Sequence, residues 1–156
     1  MKIQVSESNW GKLGSDARSI RDAVFIEEQG ISPDIEHDDR DRYAEHIVLF
    51  IEQNPVATGR IDHNGKIGRV AVLKSHRRQG FGRIVMEHLE ANALRLGLEK
   101  VFVHAQTTVV PFYRQRGYTA LGEETMEAEI PHQYMEKRLL TWPINIEIYC
   151  SNIGIV

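Results

Sequence analysis

The sequence predicts a single α/β domain built on a mixed β-sheet. Its length fits this class, because 156 residues of which 42% are hydrophobic are enough for one packed core. The dipeptide Asn64-Gly65 is a strong hairpin signal and indicates antiparallel pairing of the strands on either side. A helical pattern then separates a strand over 66–73 from one over 100–105, which predicts a parallel pair with a right-handed crossover. The sheet should therefore be antiparallel at its start and parallel at its centre.

The remaining elements are predicted from their local start and stop signals. Capping residues, glycines and prolines mark the helix ends, and runs of branched and aromatic residues mark the strands. The predicted elements are a strand over 2–5, a helix from the cap Ser15 to Glu28 with Gly30 as its stop, strands over 45–53 and 56–62 joined at Asn54-Pro55, a helix to Leu96 with Gly97 as its cap, a short helix from Pro111 to Gly117, and strands over 118–125 and 133–140 around a turn at Ile130-Pro131-His132.

Composition excludes several classes of function. The formal charge of −3, with 19 Lys and Arg against 22 Asp and Glu, gives no reason to expect a nucleic-acid partner. The single cysteine, Cys150, excludes an internal disulfide and a cysteine-based zinc site. No apolar run approaches the ~18 residues that a membrane span needs, and no signal peptide follows Met1. We therefore expect a cytoplasmic protein with no membrane partner.

The segment that follows strand 66–73 has the composition of an anion-binding loop. It is Arg77-Arg78-Gln79-Gly80-Phe81-Gly82-Arg83. Two glycines let backbone N–H groups approach a ligand, and the next helix adds the partial positive charge of its N-terminus, which suits a phosphate or pyrophosphate. Other phosphate motifs do not fit, because a G-x-G-x-x-G pattern from Gly80 needs glycine where Val85 stands, and a Walker A sequence is absent. A plain turn with solvated arginines is the alternative.

A second motif lies one strand further along the chain. It is Val110-Pro111-Phe112-Tyr113-Arg114-Gln115-Arg116-Gly117-Tyr118, in which Phe112 and Tyr113, taken alone, could equally be core aromatics. In this motif an aromatic residue and a tyrosine are followed by a basic residue, a glycine and another aromatic residue. Together with the preceding Arg77-x-x-Gly80-x-Gly82, the motif resembles those of the GNAT superfamily of N-acetyltransferases. The segments 24–30 and 41–46 and the hairpin sequence Ile130-Pro131-His132 are similar to its ElaA-like subgroup, although Glu129 replaces the glycine common before that hairpin sequence.

The resemblance implies a GNAT fold over residues 1–140, with antiparallel N-terminal strands, flanking helices and a parallel central pair splayed to admit acyl-CoA. It also implies acetyl-CoA as cosubstrate, with no metal. The residues expected to bind the cosubstrate are Val70, Ala71, Val72, Arg77, Arg78, Gln79, Gly80, Phe81, Gly82, Arg83, Gln106 and Phe112. Gln106 stands where many members have asparagine.

The resemblance also implies the chemistry, which is direct attack of a neutral amine on the thioester without a covalent enzyme intermediate. In the family the tyrosine lies beside the thioester sulfur, so Tyr113 is the expected general acid to the departing thiolate. His132, on the hairpin that closes over the acceptor in this fold, is the candidate base, with Glu127, Glu129 or a water as alternatives. Histidines within predicted strands are expected to be structural, namely His46 and His104.

The acidic segment 34–45 has several interpretations. Asp34, Glu36, Asp38 and Glu45 fall at ligand positions of a calcium loop, but Asp39 occupies the position where the sharp turn needs glycine, which disfavours calcium. Either the segment is a solvated acidic loop, or its negative field attracts a cationic amine to the acceptor site.

The sequence leaves the acceptor and the assembly open. The partner is expected to be a small-molecule or peptide amine, and a homodimer is one expected assembly. A non-catalytic acyl-CoA-binding or sensing domain is the alternative function. Residues 141–156 fall outside the resemblance; alternating Ile144, Ile146 and Ile148 predict an extra strand or a subunit contact, with an ill-ordered tail as the alternative.

Overall fold

An eight-stranded mixed sheet forms the centre of the protein. The computed structural model describes residues 1–139. Its strands are β1 (Ile3–Ser8), β2 (Glu45–Ile51), β3 (Asn54–Ile61), β4 (Lys66–Val72), β5 (Lys100–Gln106), β6 (Thr119–Ala120), β7 (Thr125–Glu127) and β8 (Ile130–Arg138). They lie in the order β1-β2-β3-β4-β5-β8-β6, with β7 also paired to β8, and β4–β5 is parallel while the other described pairs are antiparallel. The predicted mixed sheet is confirmed.

Helices cover both faces of this sheet. They are α1 (Trp10–Arg21), which continues as a π-helix over Asp22–Glu28, then α2 (Pro33–Glu36), α3 (Phe81–Arg95) and α4 (Val110–Gln115). Leu13 and Ile20 of α1 pack in one apolar cluster, and Val85 and Leu89 of α3 pack in the other. At Gly59 of β3 an added Cβ would lie 2.8 Å from Leu89 Cδ1, so this glycine permits the close approach of α3. None of the described helices is long and apolar enough to cross a membrane.

Two predicted element ends near the N-terminus are wrong. The first helix begins at Trp10 rather than after Ser15, because Asn9 caps it through a 3.1 Å bond from the Lys12 amide to the Asn9 side-chain oxygen. The turn between β2 and β3 lies at Glu52-Gln53, whose φ angles of 48° and 69° suit a tight hairpin turn. Asn54-Pro55 is therefore the start of β3 instead of the turn.

The C-terminal hairpin also differs from the prediction. The strand expected over 118–125 is interrupted, so that β6 and β7 pair separately with β8. The turn lies at Ala128-Glu129, both with positive φ, and Ile130-Pro131-His132 opens β8 instead of forming the turn. The strand predicted over 133–140 ends at Arg138. The predictions for 141–156, including Cys150 and the alternating isoleucines, lie outside the described residues.

The parallel pair is splayed, as the resemblance implied. β4 and β5 pair at Lys66 with Phe102 and at Ile67 with Val103, and their pairing stops there. Immediately beyond, a β-bulge places Arg69 and Val70 opposite the single residue Gly59, and Arg69 has a φ of +51°. Because bulges bend a strand and increase its local twist, this one accounts for the separation of β4 from β5.

Candidate active site

A cavity of about 980 Å³ occupies the gap between β4 and β5. Its lining runs from the predicted anion-binding loop, residues 77–83 at the start of α3, past Tyr113, to Ile35 and Lys66 at the opposite end. We call residues 77–83 the glycine loop. The structure thus brings the two sequence motifs to one cavity. Of the predicted binding residues, Gln79 is exposed and does not line it.

The glycine loop forms the N-terminal end of α3. Gly80 caps the helix with a φ of +86°, a conformation that a residue with a side chain rarely adopts. An added Cβ at Gly82 would lie 3.3 Å from the Phe112 ring, so this glycine lets α4 pack against α3. The first backbone N–H groups of α3 have no partner within the helix, and the helix dipole favours an anion beside them.

Arg77 lines the cavity, but its guanidinium is also bonded to other groups of the protein. Its guanidinium forms two 2.7 Å bonds to the Glu28 carboxylate and donates from Nε to the Val72 carbonyl at 2.9 Å. The same guanidinium holds the pKa of Glu28 below its usual range. Arg77 therefore joins the loop to the end of the π-helix. Arg78 and Arg83 also line the cavity, and neither donates a hydrogen bond to a carboxylate among residues 1–139.

The backbone of β4 presents a polar group to the gap. The Leu73 amide donates to the Val56 carbonyl, and Val72 lies opposite Ala57 in the β3–β4 register. Since residues of an antiparallel pair alternate in the direction of their hydrogen bonds, the N–H of Val72 points away from β3 and toward β5. Val70 and Ala71 line the same gap.

Tyr113 lies in the wall of the cavity between two other aromatic rings. Its ring makes edge contacts with Phe112 at 5.0 Å and Tyr118 at 5.6 Å between centroids. Burial raises the pKa of the Tyr113 phenol, so the group stays protonated at neutral pH. Its hydroxyl has no hydrogen-bond partner among residues 1–139, which leaves it available to a ligand.

Gln106 bonds to a partner that the sequence did not suggest. Its amide exchanges two hydrogen bonds with the Gln29 amide, at 2.8 and 3.3 Å. Both side chains line the cavity, and the pair connects the end of β5 to the end of the π-helix. Gln29 is a missed site residue, because 77 residues separate the two and no local pattern links them.

His132 lies beside the end of β5, opposite Gln106 in the β5–β8 register. Its Nδ1 donates to the Ile130 carbonyl at 2.7 Å, which fixes the neutral ring with its lone pair on Nε2. The Glu127 carboxylate lies 3.7 Å from the same Nδ1. A neutral imidazole held in this way can accept a proton through Nε2.

His104 is a cavity residue, although it was predicted to be structural. Its Nδ1 lies 3.1 Å from the other oxygen of Glu127, and its side chain is 36% exposed. The sequence contained an indication of this position. His104 alternates with the apolar Val103 and Ala105, which are buried, so its side chain lies on the opposite face of β5. His46, by contrast, is buried and bonds to the Asp41 carbonyl, as a structural histidine should.

The acidic segment is only partly solvated, because Asp34 and Asp39 are exposed whereas its other aspartates and Glu36 are paired with arginines. Glu36 and Asp41 are buried and bond to Arg21, and Asp38 is bonded by the guanidinium of Arg60. Burial opposes ionisation of Asp38, but its arginine partners outweigh burial and lower its pKa to about 2. Three buried or half-buried acids thus face three arginines, namely Arg21, Arg60 and Arg69.

One group of side chains in the described range has the composition of a metal site. Single ligand atoms of Asp22, Glu36 and His37 lie within 4.8 Å of one another. The His37 ring bonds to Asp22 at 2.8 Å, and Arg21 supplies the charge that balances Glu36. Asp22 and Glu36 thus have the His37 ring and Arg21 as partners, while the second oxygen of Glu36 has no hydrogen-bond partner among residues 1–139.

Comparisons with known proteins agree with this geometry. The family described as "Acetyltransferase (GNAT) domain" matches residues 21–139. The chain is 42% identical to YjcF of Bacillus subtilis, described as an uncharacterized N-acetyltransferase, over 78% of this chain and 90% of YjcF. A crystal structure described as an N-acetyltransferase from Lactobacillus plantarum superposes with a TM-score of 0.82 and 32% identity, covering 90% of this chain and all of that one. Escherichia coli ElaA superposes with a TM-score of 0.76 and 26% identity, covering 87% of this chain and 99% of ElaA. The chain therefore belongs to the GNAT family of acetyltransferases, whose reaction is acyl-CoA-dependent acetyl transfer.

Proposed function

We propose that this acetyltransferase uses acetyl-CoA as its donor and a primary amine as its acceptor. The observation that carries the proposal is the continuous cavity that joins the glycine loop of α3 to Tyr113 through the gap between β4 and β5. A long, narrow cosubstrate with a pyrophosphate at one end and a thioester at the other fits such a cavity. The far side of Tyr113 is left for the acceptor.

The cosubstrate would be bound mainly by backbone groups. The pyrophosphate lies on the first N–H groups of α3, from Phe81 to Arg83, where the helix dipole and the charges of Arg78 and Arg83 favour it. The pantetheine arm follows β4, whose Val72 N–H points into the gap. The bonds from Arg77 to Glu28 and Val72 give that residue a positioning role, since they fix the loop in place before the cosubstrate arrives.

The chemistry is a direct displacement at the thioester carbonyl. His132 Nε2 accepts the proton of the incoming amine, whose nitrogen lone pair forms the new C–N bond as negative charge develops on the carbonyl oxygen. A backbone N–H of β4, of which that of Val72 is the candidate, stabilises this oxygen. The C–S bond then breaks, and the Tyr113 hydroxyl gives its proton to the sulfur. Solvent afterwards returns a proton to the Tyr113 oxygen. Alignment of the two substrates supplies a large part of the rate, and no covalent enzyme intermediate is needed.

Amine-dependent thiol release tests this proposal against the alternative of a binding domain without turnover. Acetyl-CoA is mixed with the protein and a panel of amines, amino sugars and peptide N-termini, and free CoA thiol is followed. We expect at least one amine to raise the thiol release well above the rate without acceptor. Stabilisation by CoA in thermal unfolding, combined with an unchanged thiol signal across the panel, identifies a non-catalytic acyl-CoA-binding domain instead.

A further inference from the structure

The end of the cavity near Ile35 and Lys66, which we call its acceptor end, carries charges of both signs. Its titratable side chains are Glu36, Lys66, Arg69, His104, Glu127 and His132. Glu36 is balanced by Arg21, as described above. The cations that can still meet a ligand are Lys66 and one Nη of Arg69, whose other nitrogens bond to Glu36 and Asp38; we call these two residues the cationic pair. The anionic group is Glu127 with its two histidines.

Lys66 is a half-buried cation at this end of the cavity. Its ammonium forms no salt bridge within the part of the chain that the structure describes, although the side chain lines the cavity. Burial and the charge of Arg40 lower the pKa of Lys66, and the charges of Glu127 and Asp62 offset only part of that effect. Asp62 itself bonds to Arg40 at 2.6 Å. A carboxylate brought to Lys66 would supply the missing countercharge.

Arg69 is a second cation that lines the cavity, and its backbone is held in an unusual conformation. Its φ of +51° at the β4 bulge is one that residues with side chains seldom adopt, and such outliers concentrate at functional sites. Nε and one Nη contact the carbonyls of Ile35 and Glu36, and they also form ion pairs with the carboxylates of Glu36 and Asp38. The other Nη has no hydrogen-bond partner among residues 1–139. Burial and the charge of Arg60 lower the pKa of Arg69, and the carboxylates of Asp38 and Glu36 offset only part of that effect.

Glu127 supplies the opposite charge at the catalytic side of the same space. Its two carboxylate oxygens lie 3.1 Å from His104 and 3.7 Å from His132. An ammonium group arriving here is attracted by the carboxylate and can lose its proton to an adjacent imidazole. The amine is thus drawn to the side where His132 stands.

We infer that the acceptor is an amino acid or a similar compound that carries both an amine and a carboxylate, with its carboxylate bound by Lys66 and Arg69 and its amine held at Glu127. The inference rests on the proposed function and replaces the expectation of a simple cationic amine. That expectation assumed free negative charge on segment 34–45, whereas its buried acids are paired with arginines.

Calorimetric titration of reaction products tests the inference without requiring turnover. The protein is first titrated with CoA, and the CoA complex is then titrated with N-acetylated α-, β- and γ-amino acids and with the matching amides, which lack the carboxylate. We expect at least one acid to bind about tenfold more tightly than its amide, because hydrogen bonds to charged groups contribute at that level.

Variants of Lys66 assign the preference to the cationic pair. Lys66→Gln should reduce the ratio of acid to amide affinity to about one, Lys66→Arg should retain it, and Lys12→Gln on the exposed side of α1 serves as the matched control. The inference is overturned if acids and amides bind equally, if neither binds, or if the preference for the acid survives Lys66→Gln. In each of these cases the binding of CoA leaves the proposed function intact. Failure to bind CoA in the first titration overturns both.

Discussion

Replacing Tyr113 by phenylalanine removes one oxygen atom from the centre of the proposed mechanism. The ring contacts with Phe112 and Tyr118 remain, and among the described residues no hydrogen bond to the hydroxyl is lost. The free energy of unfolding should therefore change by less than about 1 kcal/mol. The reaction, in contrast, loses its proton donor to the thiolate, which should lower kcat by about 10² to 10⁴.

The measurements for Tyr113→Phe are kcat from thiol release, the Kd of acetyl-CoA from calorimetry and the free energy of unfolding from urea denaturation. A loss of 10² to 10⁴ corresponds to about 3 to 5 kcal/mol in the activation barrier. Tyr118→Phe is the matched control, because its hydroxyl donates to Glu90 at 3.3 Å outside the reaction path. That variant should lose about 0.5 to 1.5 kcal/mol of stability and keep its kcat. Full activity of Tyr113→Phe would reduce this tyrosine to a packing residue.

Three further predictions concern the loop, the base and the acidic segment. Gly80→Val and Gly82→Val should abolish the rise in Tm caused by CoA, since the first forces a side chain into a positive φ and the second drives a Cβ toward the Phe112 ring. His132→Ala should lower kcat/KM by about 10² and change the shape of its pH profile, because the proposed base is removed. Because the folded-state pKa of Asp38 is lowered to about 2, its stabilisation is present above about pH 4 and is lost as the pH falls toward 2. Asp38→Asn should accordingly cost about 1 to 2 kcal/mol at neutral pH and much less in acid, as measured by urea denaturation at both.

Each of these predictions has an outcome that contradicts it. Parent-like CoA stabilisation of either glycine variant removes the phosphate assignment from the loop. A parent-like pH profile for His132→Ala transfers the base to Glu127, Glu129 or a water. Equal destabilisation by Asp38→Asn at neutral and acid pH means that the arginine pairs do not set the ionisation of that carboxylate.

The sequence predicted the parts of the site that depend on local backbone geometry. Gly80 and Gly82 indicated a loop that needs positive φ and close packing, and both requirements appear in the structure. The crossover between β4 and β5 followed from a helix placed between two strands. The Asn9 cap was missed because Ser15 offered a second plausible start within the same helical pattern, and only packing distinguishes the two.

The parts that depend on distant partners could not be predicted from local patterns. Glu36, Asp38 and Asp41 looked solvated in the sequence. Their partners Arg21 and Arg60 lie 15 to 22 residues away, so the local pattern showed the acids without the arginines that neutralise them. The ion pair of Arg77 with Glu28 was not visible in the sequence either, because the two residues are 49 positions apart. Such ion pairs form only when tertiary packing brings the partners together, so local charge patterns mispredict which cations remain free.

Transfer of labelled acetyl groups tests the central claim most directly. The protein is incubated with acetyl-CoA carrying ¹³C at the thioester carbonyl and with the acceptor panel, and the labelled products are identified by NMR and mass spectrometry. The proposed mechanism predicts that the label appears as an N-acetyl amide, with one CoA thiol released for each amide formed and no label on the protein. Label found in free acetate alone, or held on the protein as an acetyl-enzyme, would contradict direct transfer to an amine.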